Sequence, residues 1–398
     1  MIIPTYDHKT VEVDLPAGTS QSNLLALPAL VDPHVHFRVP GGEHKEDWQT
    51  GARAAIAGGV TTVFEMPNTN PPTTTADLLH AKKKAIEQQL KTIGIPLHYY
   101  LYIGATNDNL TEIEKVKDEI IGIKLFMGSS TGNLLVDKKA DQEKIFALAA
   151  KLNLPVAVHA ESEALIERNK ALHADNDSIK VHSLIRNAEV AATAVAQAIE
   201  LAEQNGTRLY ILHTSTAGEV DLIRAAKARG VQVFAEVTPH HLFLDSESYH
   251  VLGSRAQMNP PVRRPEDQTA LWQGIANGTI DTVGTDHAPH LLSEKALPYP
   301  KSPSGVPGIE TALPLLLNAY HKGKITLENL VAVISANAKK IFNLPANDDW
   351  VIVDLDLTKE VKNENLKTKC VWSPFAGWNL KGWPVVTMLN GKTFYLSS

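Results

Sequence analysis

The residues best suited to chemistry begin with a pair, His34 and His36, at the end of an apolar run. In a strand, residues two apart lie on one face, so both imidazoles point the same way. Two imidazoles side by side suit a metal and ill suit an apolar core. Arg38 would share their face if the strand continued, bringing a fixed positive charge close to a metal. His159, His213 and Asp286 each follow an apolar, β-branched run, and Lys124 sits within one. One histidine capping a strand is ordinarily structural. Four histidines and an aspartate at successive strand ends are not independent accidents. Imidazole and carboxylate suit Zn²⁺, with other transition metals as candidates. Five such groups exceed what one tetrahedral ion with an open position needs, so two ions are expected. Lys124 fits this set in one of two ways. It is salt-bridged or surface-seeking, or CO₂ converts it to a carbamate, an anion whose two oxygens can bridge two ions.

These groups need a scaffold that presents strand ends at one level. After residue 26, short β-branched runs alternate with longer helix-like stretches, the pattern of repeated βα units. Strands are expected at residues 27–31, 61–65, 97–102, 121–126, 156–159, 209–213, 231–237 and 280–284. Eight such units predict a closed (β/α)₈ TIM-type barrel, whose chemistry sits at the C-terminal ends of the strands. An open doubly wound sheet is the rival, but neither G-x-G-x-x-G after a strand nor a P-loop lysine motif occurs. The barrel is assigned to residues 27–343. Residues 1–26, interrupted by Pro16 and Gly18, and residues 344–398 are expected to pair into a small β-sandwich-like domain. Residues 291–305, rich in Pro and Ser, read as a long loop above the last barrel strand.

Composition narrows the class. The chain has 398 residues, 43% hydrophobic and 21% charged, an ordinary globular balance. Its 38 basic and 44 acidic residues leave a net charge of −6 without long blocks of one sign, a poor match to nucleic acid or an acidic membrane. The single cysteine, Cys370, excludes an internal disulfide and fits a reducing compartment. The N-terminal residues lack a signal-peptide pattern, and no apolar run reaches the ~20 residues of a membrane helix. A cytoplasmic protein acting on a small molecule is expected. Homodimer formation is compatible with the sequence, which does not fix the oligomeric state.

The motifs, taken together, resemble the dihydroorotases of the cyclic amidohydrolase superfamily. They are Asp32-Pro33-His34-Val35-His36-Phe37-Arg38, Glu65-Met66-Pro67-Asn68-Thr69-Asn70, Ile123-Lys124-Leu125-Phe126-Met127-Gly128, Val158-His159-Ala160-Glu161 and Leu212-His213-Thr214-Ser215. Met258-Asn259-Pro260-Pro261, Gly284-Thr285-Asp286-His287-Ala288-Pro289-His290, Ser304-Gly305-Val306-Pro307 and Ser373-Pro374-Phe375-Ala376-Gly377 complete the series in the family's order. The resemblance implies a binuclear zinc barrel in which His34, His36 and Asp286 hold one ion. His159 and His213 hold the other, and N6-carboxylated Lys124 bridges them. It implies a bridging hydroxide as nucleophile, because metal binding lowers the pKa of water, with Asp286 as general base and acid. The metal would also polarise the scissile carbonyl and stabilise the oxyanion.

The implied reaction is the reversible ring opening of (S)-dihydroorotate to N-carbamoyl-L-aspartate in pyrimidine biosynthesis. A guanidinium matches the substrate carboxylate, which points to Arg38. Asn68 and His290 match the family's other carboxylate-binding positions. Asn259 and the backbone around Ser304 and Gly305 match its ring-binding positions. Two departures are present. Some relatives carry a non-bridging acid where Lys124 stands, and Val39 occupies a place that is often acidic.

Other readings have less behind them. Gly128-Ser129-Ser130-Thr131-Gly132 spells G-x-S-x-G, but a nucleophile elbow needs a helix directly after the serine, and none is signalled before about Asp141. His240-His241 could extend the metal site, but reads as a loop or supporting feature because the ligand set is already complete. Hydantoinase, dihydropyrimidinase and allantoinase would share the metals and replace the Arg38 and Asn68 set. A catalytically inactive scaffold partner should have lost ligands, and none is missing.

Overall fold

The computed structural model describes residues 1–15, 23–130 and 134–395, which leaves Pro16, Gly18, Thr131 and Gly132 outside the described residues. Eight parallel strands form one sheet in strict chain order: Leu30–Val35, Val60–Glu65, His98–Gly104, Gly122–Phe126, Val156–His159, Leu209–Ile211, Val233–Val237 and Thr282–Val283. The expected (β/α)₈ barrel is therefore the observed architecture. The strands are nearly continuous apolar runs because a parallel sheet covered by helices is buried on both faces. Every residue of Val60–Glu65, Gly122–Phe126 and Val156–His159 is buried.

The eighth strand is only two residues long, and the barrel closes by other means. Val35 pairs with His287 in an isolated parallel bridge, and His36 N donates to His287 O at 2.9 Å. The Asp32 carboxylate accepts from Thr285 N at 2.9 Å and Thr285 Oγ1 at 2.5 Å. A side chain thus replaces missing ladder bonds at the seam between the first and last strands, and holds His36 and Asp286 close together.

The apolar run at residues 24–31 is two strands rather than one. Leu24–Pro28 pairs antiparallel with Trp350–Glu360, and the barrel's first strand starts at Leu30. Pro28 has no N–H to continue a ladder, and Ala29 N turns to Asp349 O at 3.0 Å. Trp350–Glu360, Asn379–Leu389 and Lys392–Tyr395 complete a four-stranded antiparallel sheet from both ends of the chain. A two-stranded ribbon, Ile2–Pro4 with Thr10–Glu12, touches it through a bridge from Thr5 to Ala26.

Two barrel helices next to the site begin at side-chain caps. Asp47 and Thr50 form a capping box at Trp48–Ala57, and Thr216 and Glu219 form another at Ala217–Ala228. The second box immediately follows the sixth strand. Buried Glu219 Oε2 accepts from Ser215 N and Thr216 N at 3.0 and 2.8 Å, which fixes the turn just beyond His213.

Candidate active site

A cavity opens at the C-terminal ends of the strands. All six expected metal ligands line it: His34, His36, Lys124, His159, His213 and Asp286. Arg38, Asn68, Asn259, Ser304 and Gly305 line it as well. His290 is the exception among the expected residues and stands behind Arg38, whose Nη2 lies 3.2 Å from His290 Nε2.

The histidines are oriented by carboxylates. His34 Nδ1 lies 2.8 Å from Glu236 Oε1, and His159 Nε2 lies 2.9 Å from Glu161 Oε2. An ionised carboxylate only accepts, so the proton is on the imidazole nitrogen in each pair. The nitrogens left facing the cavity are Nε2 of His34 and Nδ1 of His159. His34 Nε2 and His36 Nε2 approach the same oxygen of Asp286, at 3.2 and 3.0 Å. His34, His36 and Asp286 offer three ligand atoms within 4.8 Å of one another, a group able to hold a metal ion.

The second pair is more telling. His159 Nδ1 and His213 Nε2 face each other at 2.9 Å. Burial pushes His159 down, and pushes His213 well below the usual imidazole range with help from His159 and Lys124. Two neutral imidazoles with ring nitrogens converging need a shared proton or a cation between them. Burial likewise lowers His36 to about 3, whereas the Asp286 and Glu236 charges outweigh burial and raise His34. Burial would raise Asp286, but His34, His36 and His213 hold it well below the usual carboxylate range. The donor set fits metal coordination: burial favours the neutral, ligating form of His36, His159 and His213, Asp286 is ionised, and His34, whose Nε2 faces Asp286, would give up its proton to a bound cation.

Lys124 is 1% exposed, and burial lowers its amine to about 7. Among the described residues it has no hydrogen bond or ion pair, and its Nζ rests 4.4 Å from the Phe126 ring centroid. Neither a surface position nor a salt bridge is found for Lys124 among the described residues; its side chain lines the cavity beside Phe126.

Across the cavity, Arg38 has backbone φ +65 and is buried. The strand ends at Val35, so the alternation expected to carry Arg38 onto the histidine face does not continue. The turn delivers its guanidinium to the same cavity by another route. Its Nε donates to Pro289 O at 3.2 Å, and among the described residues it has no carboxylate partner. Lys45 Nζ lies 3.1 Å from His290 Nδ1, and an ammonium only donates, so Nδ1 accepts. His290 Nε2 then carries the proton and donates to Ser304 O at 3.1 Å. Arg38 Nη2 faces that N–H rather than an acceptor and remains available to a ligand. Burial and the charges of Arg38 and Lys45 hold His290 neutral. Asn259 Nδ2 reaches Ser130 Oγ at 3.4 Å, while its buried Oδ1 has no hydrogen-bond partner among the described residues.

Some supporting residues escaped the sequence reading. Glu236 lies mid-strand in Val233–Val237, where an unpaired carboxylate among apolar neighbours was the available signal. Glu161 stands two residues after His159, its charge shared with Arg186. His241 is held by Thr238 Oγ1 at 2.8 Å and Pro260 O at 3.1 Å, in the short helix Pro239–Phe243, and does not line the cavity. The G-x-S-x-G string forms no described elbow, since the next helix is Lys139–Leu152. No helix among the described residues is long and apolar enough to cross a membrane.

Comparisons with known proteins agree with this geometry. A family model described as "Amidohydrolase family" matches residues 25–394. A dihydroorotase of Halobacterium salinarum is 37% identical over 379 residues, 93% of this chain and 86% of the relative. A dihydroorotase of Bacillus cereus strain G9842 is 38% identical with the same shares. Among solved structures, an L-hydantoinase (dihydropyrimidinase) from Arthrobacter aurescens superposes with TM-score 0.88 at 29% identity, covering 97% of this chain and 90% of that one. A dihydropyrimidinase from Brevibacillus agri NCHU1002 gives 0.83 at 27%, covering 97% and 89%. A barrel with an imidazole and carboxylate cluster at its strand ends, matched along almost its whole length, belongs to the amidohydrolase family of hydrolases.

Proposed function

We propose that this chain is a dihydroorotase, interconverting (S)-dihydroorotate and N-carbamoyl-L-aspartate in pyrimidine biosynthesis. The observation that carries this reading is Arg38, a buried guanidinium without a carboxylate partner, on the wall of the cavity that holds the ligand cluster. A ring substrate bearing a carboxylate supplies the missing anion, and an Arg–carboxylate pair is geometrically specific. Asn68 and the Arg38–His290 contact frame the same end. Asn259 Oδ1 and the Ser304–Gly305 backbone would receive the ring's amide groups.

His34, His36 and Asp286 would hold one Zn²⁺, His159 and His213 the other, and Lys124 would bridge them as its carbamate. Carbamate formation requires a neutral amine to attack CO₂ and release a proton, and burial of Lys124 makes that form available near neutral pH. When bound, the ions would supply acidified water and a Lewis acid for the scissile carbonyl. Asp286, ionised and beside both histidines of its group, would take a proton from the attacking water. It would then return that proton to the ring nitrogen as the C–N bond breaks. Arg38 would orient the ring by its carboxylate so that the scissile carbonyl faces the ligand cluster. The lone, buried Cys370 supports a reducing, cytoplasmic setting.

A hydantoinase or dihydropyrimidinase reading has support in the structural superpositions. Incubating zinc-loaded protein separately with dihydroorotate, hydantoin and allantoin decides between them. Preferential turnover of dihydroorotate is expected, and preference for either uncharged ring would overturn the proposal. Protein purified without zinc and not stabilised by it would favour an inactive scaffold.

A further inference from the structure

We propose that Lys295 is a positioning residue that clasps the two ring-binding segments together and helps select an anionic substrate. It ends a short helix, Leu292–Lys295, that interrupts the expected loop at residues 291–305, and its side chain is 1% exposed. Its Nζ donates to Gln257 O at 2.9 Å, Pro303 O at 2.7 Å and Gly305 O at 3.1 Å. All three ammonium donors are thereby used on backbone carbonyls. Among the described residues Lys295 has no carboxylate partner, and its neighbour Glu294 pairs instead with Lys45 at 3.0 Å.

The three carbonyls come from two chain segments far apart in sequence from one another. Gln257 lies two residues before Asn259, and Pro303 and Gly305 flank Ser304. Gly305 N also donates to Gln257 O at 2.9 Å, Gln257 Nε2 donates to Ser302 O at 2.9 Å and Ser304 Oγ at 3.2 Å, and Ser302 Oγ donates to Gln257 Oε1 at 2.5 Å, so Lys295 reinforces a link that the Gln257 side chain shares. Losing the ammonium would leave two of these carbonyls short of a donor in a buried place, and the Ser304–Gly305 backbone would be free to shift. A shift of the order of 1 Å at a substrate-positioning element can lower turnover about 100-fold.

Charge gives the clasp a second role. A buried ammonium normally finds an anion. Burial and the nearby Arg38 charge push the Lys295 amine down to about 7, while the three carbonyl dipoles favour its charged form. A substrate carboxylate at Arg38 would offset the Arg38 charge that disfavours the Lys295 ammonium, and so meet two buried cations, whereas an uncharged ring would not.

The selectivity part rests on the dihydroorotase reading, and the clasp does not. The test uses the full-length zinc-loaded protein and the variants Lys295→Met and Lys295→Arg. Hydrogen–deuterium exchange of peptides covering residues 257–259 and 302–306 reads the clasp without any substrate. At least tenfold faster exchange is expected in Lys295→Met, with partial protection restored in Lys295→Arg. Steady-state kinetics read selectivity. KM for dihydroorotate is expected to rise about tenfold in Lys295→Met while KM for an uncharged ring changes less than threefold and zinc content stays constant. Unchanged exchange in both variants would overturn the clasp, and an equal change in KM for both rings would overturn the charge role. Lys295→Arg carries both readouts if Lys295→Met does not fold. Wild-type protein that never turns over dihydroorotate would sink the functional reading and the charge role, while the exchange result still decides the clasp.

Discussion

The two walls of the cavity are supported by opposite chemistry. On the ligand wall, imidazoles lean on carboxylates: His34 on Glu236 at 2.8 Å and His159 on Glu161 at 2.9 Å. On the substrate wall, cations lean on carbonyls: Arg38 on Pro289 O at 3.2 Å and, behind the Ser304–Gly305 lining, Lys295 on three backbone oxygens. A carboxylate behind an imidazole fixes its tautomer and raises its basicity toward a cation. A carbonyl behind a cation satisfies its hydrogens and leaves its net charge for a ligand. The first wall is arranged to receive positive charge and the second to receive negative charge. A substrate with a hydrolysable carbonyl at one end and a carboxylate at the other would span both.

Variants on the two walls should therefore fail differently. The largest loss is expected at Asp286, proposed as both ligand and proton carrier. Asp286→Ala should lower turnover of dihydroorotate by about 10³-fold or more, since proton transfer alone supplies ~10²–10⁴-fold. A rate within tenfold of wild type would remove Asp286 from the chemistry.

Glu236→Gln and Glu161→Gln leave every proposed ligand in place and disturb only the carboxylates behind them. Each should weaken zinc binding or activity by roughly 10–100-fold, read by metal titration against a competing chelator. Arg38→Met should show the complementary defect, with KM for dihydroorotate raised by an order of magnitude or more, as expected from losing a charge-assisted pair worth ~1.5–3 kcal/mol. Its zinc content should not change. Zinc loss in Arg38→Met, or unchanged zinc affinity and activity in both glutamine variants, would break the division between the walls.

The smallest effect should be structural. Gly305 has φ +133, and a Cβ there would lie 2.6 Å from Ala288 O. Gly305→Ala should destabilise the fold by about 1–3 kcal/mol, measured by denaturant unfolding, with the backbone moving at the ring-binding position. Stability equal to wild type would mean that the loop adapts freely.

The ligand wall was legible in the sequence because its groups stand on strands or just past them. Alternation of period two and the ends of apolar runs are local signals, and they located His34, His36, Lys124, His159, His213 and Asp286. The carboxylates behind them were harder to recognise. Glu236 reaches His34 from 202 positions away, and no local spacing encodes that pairing. Arg38 was singled out as a guanidinium close in sequence to the histidines, and the cavity receives it through a turn with positive φ rather than by continuation of the strand past Val35. Lys295, in a polar loop, reads like a solvated lysine, because its three acceptors belong to backbone segments that only tertiary packing assembles. The division of residues 24–31 into two strands had a visible mark in Pro28. Its cause, pairing of Leu24–Pro28 with Trp350–Glu360, lies more than 300 residues away.

The central claim is that the cation wall selects a carboxylate while the ligand wall opens the ring. Dihydrouracil has the dihydroorotate ring without its carboxylate, so the two compounds isolate that contact. The decisive measurement is kcat/KM for both with zinc-loaded wild type and with Arg38→Met. Wild type is predicted to favour dihydroorotate by at least 100-fold, and Arg38→Met to lose most of that preference with its zinc intact. Equal or greater efficiency with dihydrouracil in wild type would contradict the account.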